Sequence, residues 1–140
     1  MMQSTKFLQV VLCLAGGLAI AIGGLILRSP ADFYALNQID LGNNANLLSE
    51  IRAPAGFLFA SGLLIVLGAF VAQLTFTATF LATLLYLSYG LSRLAGMALD
   101  GIPVPSLVWS DGIELLVGLL CLVCLWFHWP RSQQTGGRGS

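Results

Sequence analysis

An arginine stands seven residues before the end of the third of four long apolar runs, in the stretch Leu84–Asp100, LLYLSYGLSRLAGMALD. If that run crosses a bilayer as a helix, Arg93 lies about 10 Å inside the nearer end. A guanidinium at such depth costs between about 2.5 and 17 kcal/mol, depending on how far pairing or snorkelling relieves it. Helical side chains lean toward the helix N-terminus, which turns Arg93 away from the nearer surface. A partner inside a bundle is therefore expected, the competing reading being an arginine that reaches headgroups alone. Tyr86, Tyr89, Arg93, Met97 and Asp100 recur at helical spacing and share one face. That face is the most polar of the run and should turn inward.

The partners on offer are carboxylates at matching depth. Glu50 and Arg52 precede the second run, and Asp111 and Glu114 precede the fourth. With Tyr89, Arg93 and Asp100 they make a candidate buried polar cluster or pocket: Glu50, Arg52, Tyr89, Arg93, Asp100 and Glu114. Charge balance suggests two pairs, Glu50 with Arg52 and Arg93 with Glu114 (Glu50 being the other carboxylate within reach of Arg93). Such a cluster could fix the register of a bundle, or line a pocket for a polar head. Asp111 has a local explanation, because Asp-x-x-Glu resembles a capping box at a helix start. Glu114 fits either role.

Other chemistry is poorly supplied. No Gly-rich phosphate loop, nucleophile–base pair or metal-spaced cluster is present. No catalytic residue, no metal and no cofactor is therefore expected, and the balance leans away from an enzyme. Cys121 and Cys124 form C-x-x-C, but within an apolar run they read as small packing residues, as does Cys13, and no structural disulfide is expected. His128 beside Trp129 reads as interfacial. The inner half of the runs holds Leu, Val, Ala and Cys between His128 and the arginine. That argues against a complete proton or ion path.

The elements that must position these groups follow from composition. The chain has 140 residues, 57% hydrophobic and 9% charged, against about 25% charged in soluble domains. One domain, 1-129, with four membrane spans at about 7-27, 53-74, 75-99 and 112-129 is expected. The predicted fold is all-α, a four-helix transmembrane bundle. Phe7–Leu27 is too long for a signal peptide and lacks a convincing cleavage site. In the first loop, Ser29-Pro30-Ala31-Asp32 reads as a helix start, giving a short interfacial helix over Pro30–Leu36. Asn43 or Asn44 should cap the helix that enters the second span, and Pro54 should kink it. A very short connection near Gln73-Leu74-Thr75 makes the second and third spans antiparallel neighbours. Residues 130-140 read as a disordered polar tail. Small residues recur at Ala15, Ala19 and Gly23 and at Gly17 and Ala21, ridges that let another helix approach closely.

Formal charge is zero, so no nucleic acid partner is expected. Four spans put both ends on one side. Lys6, Arg131 and Arg138 stand on that side against Arg28 and Arg52 on the other, which leans toward cytoplasmic termini.

The order of motifs also resembles a known pattern. A first span is followed by a loop ending Ser-Glu-Ile-Arg-Ala. Ser-Arg-Leu-Ala-Gly-Met-Ala-Leu-Asp-Gly closes the third span, and Asp-Gly-Ile-Glu opens the fourth. This resembles a family of short bacterial four-span membrane proteins catalogued as a domain of unknown function, loosely DoxX-like in layout, over about Phe7–Trp129. The resemblance implies a bacterial inner (plasma) membrane location; with the cytoplasmic termini that the charges favour, the first loop would be periplasmic. Its matching positions would be Glu50, Arg52, Arg93, Asp100, Gly101 and Glu114. It implies no activity. The leading expectation is a non-enzymatic accessory or scaffold protein in contact with membrane lipid, packing as a homo-oligomer or in a larger membrane complex. The alternatives are binding or transport of a small amphiphile or lipid through an outer-leaflet pocket, and a quinone-linked redox subunit.

Overall fold

The protein is described by a computed structural model that covers residues 2–129, with side chains from residue 5. The predicted tail, 130-140, lies outside the described residues. Five helices follow one another: α1 (Met2–Arg28), α2 (Pro30–Ala35), α3 (Ala45–Phe70), α4 (Ala72–Asp100) and α5 (Pro105–Phe127). No strand occurs among the described residues. Apart from the six-residue α2, each is long and apolar enough to cross a bilayer, giving four candidate spans. This is the all-α, four-span bundle expected from the sequence, with the short helix present in the first loop.

α1 packs on α3, α3 on α4 and α4 on α5, while α1 and α5 meet only lightly. Lipid tails are as apolar as leucine, so burial of apolar surface does not drive these contacts; close van der Waals packing must. The α1–α3 seam provides it. A Cβ built at Gly62 of α3 would lie 2.8 Å from the Gly16 carbonyl oxygen and 2.8 Å from the Ile20 nitrogen of α1. One built at Gly23 would lie 2.7 Å from the Phe59 nitrogen. These backbones touch because no side chain stands between them. Ala15 and Ala19 are also buried in the core, beside Leu12 and Ile65. Most of the small-residue ridge of α1 is thus used inside the bundle, whereas Gly17 and Ala21 remain open.

The α3–α4 connection is shorter than expected and comes earlier. The helix breaks at Val71 alone, φ −104°, not near Gln73–Thr75. Thr75 helps to hold it: its hydroxyl donates to the Gly68 carbonyl across the break (2.7 Å) and lies 3.3 Å from the Val71 carbonyl, which also accepts from Leu74 N. α4 then folds back so closely that Gly68 lies against Ala78.

Start signals also need two corrections. Asn44 caps α3 as expected, accepting from Asn46 N (3.0 Å) and Leu47 N (3.3 Å), which contributes about 1 kcal/mol. Ser29 precedes α2 but makes no side-chain cap; its hydroxyl donates to the Asp32 carboxylate instead. α5 begins at Pro105, seven residues before the expected 112, with Val104 in the cap position. Asp111 is therefore not a helix cap: it lies well inside α5, and the Asp-x-x-Glu spacing serves something else. Pro at the first helical position was the signal for the true start. At the far end of α4, Gly101 adopts φ 103°, a conformation that ends the helix and favours glycine.

Candidate functional site

All five helices contribute to one cavity of about 320 Å³ near the end that carries the first loop. Ile22 and Ile26 of α1, Leu58 of α3 and Leu85 of α4 form apolar walls. Tyr34 of α2 and Asn37 after it also line the cavity, and Ser106 Oγ of α5 donates to Asn37 Oδ1 at 3.0 Å. Tyr89, Arg93, Ser110 and Glu114 make the opposite wall polar.

The polar wall is organised by one ion pair. Arg93 Nε lies 3.1 Å from Glu114 Oε2, with the two side chains 37% and 11% exposed. Antiparallel α4 and α5 set them opposite each other because each stands a similar distance from the loop end. Among the described residues no donor reaches Glu114 Oε2 with good hydrogen-bond geometry, so the contact with Arg93 is mainly electrostatic rather than a well-aligned fork. Asp111 stands one turn away on the same α5 face and is 2% exposed. Its Oδ1 has no hydrogen-bond partner among the described residues. A buried carboxylate oxygen without a donor carries a desolvation cost.

The remaining candidates are distributed differently. Tyr89 lines the cavity and is half-buried. Glu50 and Arg52 do not belong to the buried cluster: both are exposed and, among the described residues, the ion pair of the site is that of Arg93 and Glu114. The reason is helical phase. Residues two apart point to opposite sides of a helix, and it is Ile51 between them that lines the cavity, with Pro54 and Ala55. Asp100 is also exposed. It lines a shallow hollow on the other side of Arg93, with Gly96, Met97 and Pro103. Arg93 therefore forms the wall between cavity and exterior. α3 continues through Pro54 without a break, the Glu50 carbonyl losing the donor that a proline cannot supply.

Sequence reasoning missed a polar ladder on the buried side of α4. Thr79 and Thr83, spaced four apart above Thr75, are buried, and the inner half is not lined by Leu, Val, Ala and Cys alone. Thr79 Oγ1 donates to the Thr75 carbonyl (2.7 Å) and Thr83 Oγ1 to the Thr79 carbonyl (2.8 Å). Each hydroxyl is turned back on its own helix, the usual means of satisfying threonine in a helix. Tyr86 at the floor of the cavity donates to the Ala15 carbonyl of α1. The fourfold spacing of the threonines was the readable signal.

Among the described residues no group of three or more His, Cys, Asp or Glu side chains is arranged to hold a metal. Cys121 and Cys124 are buried free thiols on α5, away from the cavity lining.

Residues 7–125 match the family model described as Domain of unknown function (DUF4345). Comparison with curated proteins and with solved structures finds no match.

Proposed function

The chain belongs to the DUF4345 family, whose description carries no activity, and we propose from its cavity that it binds a small amphiphile within the membrane. One observation carries the reading: a cavity lined by all five helices has apolar walls and, among its polar lining, the half-buried ion pair of Arg93 and Glu114. At about 320 Å³ it lies at the small end of ligand pockets. An apolar chain would lie along Ile22, Ile26, Leu58 and Leu85, and a polar head would meet Tyr89, Arg93 and Glu114.

The test is native mass spectrometry and lipid extraction of protein purified in a mild neutral detergent. A co-purifying amphiphile is expected, and it should be absent from the double variant Arg93→Leu/Glu114→Leu, which removes the pair together and so leaves no lone buried charge. An empty wild-type protein, or equal loading of both proteins, would count against the cavity as a binding site.

A self-packing role keeps one observation in its favour, the uncovered Gly17 and Ala21 on α1. The same spectra report stoichiometry and so address it. For orientation we favour cytoplasmic termini in a bacterial inner membrane, with the cavity in the outer leaflet. In a background without native cysteines, an impermeant thiol reagent on intact cells should label Asn43→Cys and spare Gln134→Cys; the reverse pattern would invert the threading.

A further inference from the structure

The lining of the cavity can read a head group by charge and by hydrogen-bonding sense. Its charged residues are Arg93 and Glu114, one of each sign, so the lining is neutral as a whole. The two already face each other, Arg93 Nε standing 3.1 Å from Glu114 Oε2. That oxygen is closed off by packing, and Asp111, with its own closed oxygen, lies outside the lining. Neither atom can receive a head. What the lining offers is donors. A guanidinium carries several N–H groups and no acceptor, so even a two-pronged contact with Glu114 leaves Arg93 donors to spare. Asn37 spends its side-chain oxygen on Ser106, which leaves its amide nitrogen as a donor. The hydroxyls of Tyr34, Tyr89 and Ser110 make no hydrogen bond among the described residues. Among the lining side chains the acceptor-only group is Glu114.

We infer that the cavity selects a short-chain amphiphile whose head is uncharged and accepts hydrogen bonds, such as the carbonyl of an ester; this rests on the cavity-binding reading above. A carbonyl head brings acceptors to a lining with spare donors and adds no charge to a lining that is already neutral. An anionic head is drawn to Arg93 and repelled by Glu114 beside it. These two terms largely cancel, while the cost of stripping water from the ion remains. An ammonium head meets the same balance with the signs reversed, and it brings donors where donors are already in excess. A bare hydrocarbon fits the apolar residues and leaves the donors unserved.

Four probes with similar chains decide it: methyl octanoate, octanoate, octylamine and octane, compared at equal concentration in the micelle with full-length protein in a neutral detergent. At pH 7 the acid and the amine are both ionised. Thermal unfolding gives the readout, because a ligand that binds only the folded state raises Tm with its concentration. Methyl octanoate should bind about tenfold more tightly than either charged probe and about threefold more tightly than octane. Glu114→Gln leaves Arg93 as the charge of the lining, so octanoate should become the tightest of the four. An unchanged ranking in that variant would assign the order to the micelle and overturn the inference. Should Glu114→Gln not fold, Tyr89→Phe removes one donor at no cost in charge: methyl octanoate should weaken by about threefold and octane should not change. No loss, or an equal loss for octane, overturns the donor assignment. In the wild type, a charged probe that binds most tightly, or octane that binds as well as the ester, overturns the neutral-head assignment and leaves cavity binding standing. No shift with any of the four overturns both.

Discussion

The two ends of the bundle solve opposite problems. Along the α1–α3 seam and down the buried side of α4, the buried threonine and tyrosine hydroxyls are served. Thr79 and Thr83 bond back to their own helix, Tyr86 reaches across to Ala15, and Gly16, Gly23 and Gly62 let backbones meet. At the loop end the helices stand apart around a cavity, an arginine meets a glutamate without good alignment, and Asp111 is buried with an oxygen unserved. A membrane protein can satisfy its polar groups, as the first region does. Costs concentrated in the second region, around an open space, therefore mark it as the place where something other than stability is being met.

The largest effect should come from the seam. Gly62→Val places a branched side chain where even a Cβ lies 2.8 Å from α1 backbone atoms, and neither helix can yield without losing its neighbours. The expected cost is about 3 kcal/mol or more, seen as a collapse of the thermal midpoint in detergent. A variant that unfolds within a degree or two of wild type would mean that the seam is looser than its geometry.

Next is the ion pair. Removing one member of a buried pair costs about 3–5 kcal/mol when burial is complete. Arg93 is more than a third exposed, so about 2 kcal/mol is expected for Arg93→Leu, and a similar loss for Glu114→Leu. The double variant should recover much of either loss. Lys at position 93 should rescue poorly, lacking the planar donor set of arginine. Additive single effects, within about 0.5 kcal/mol, would mean that the two side chains are near neighbours without coupling.

Asp111→Asn should move stability in the other direction. It removes a buried carboxylate, one oxygen of which has no donor among the described residues, so the protein should gain about 1 kcal/mol. That would be an improvement at the loop end which no seam variant can match, and it sharpens the contrast between a region built to hold and one built to receive. A loss of stability would instead mean that Asp111 already has a partner in the membrane, such as a buried water.

How much of this was legible follows from which physics each feature obeys. The four long helices were readable because hydropathy over twenty residues is a strong, local signal. The depths of Arg93 and Glu114 are likewise counts along two helices, and the turn chemistry at Asn44 is local too. Glu50 and Arg52 failed at helical phase: depth placed them beside the cluster, but two residues of separation turned both away from Ile51 and the interior. The α3–α4 break was hidden because Val71 is no turn-former; the turn is held by Thr75, four residues later, through a bond to the Gly68 carbonyl that only the folded chain brings within reach. Asp111 was misread because a capping-box spacing looks the same inside a helix as at its start. The cavity itself has no sequence signature, since it is the space between five elements rather than a property of any one.

The smallest effect belongs to the loop after α2, whose Asn37 lines the cavity. Ser106 Oγ donates to Asn37 Oδ1 at 3.0 Å, and this exposed bond joins the start of α5 to the loop after α2. An exposed hydrogen bond of this kind contributes about 0.5 kcal/mol. Ser106→Ala should therefore leave the thermal midpoint nearly unchanged. Its effect should be local: the backbone amides of Gln38 and Ile39, which bond to Ala35 and Tyr34 carbonyls, belong to the segment that the bond holds. If that segment opens as a unit, 0.5 kcal/mol corresponds to about a twofold rise in its hydrogen exchange, with no change along α1 or α3. An amphiphile that enters past Tyr34 and Asn37 should then dissociate faster by a similar factor, its affinity falling little if entry quickens equally. Faster exchange without faster dissociation would place the route elsewhere, through the hollow behind Arg93, and would make the arginine rather than the loop the door of the cavity.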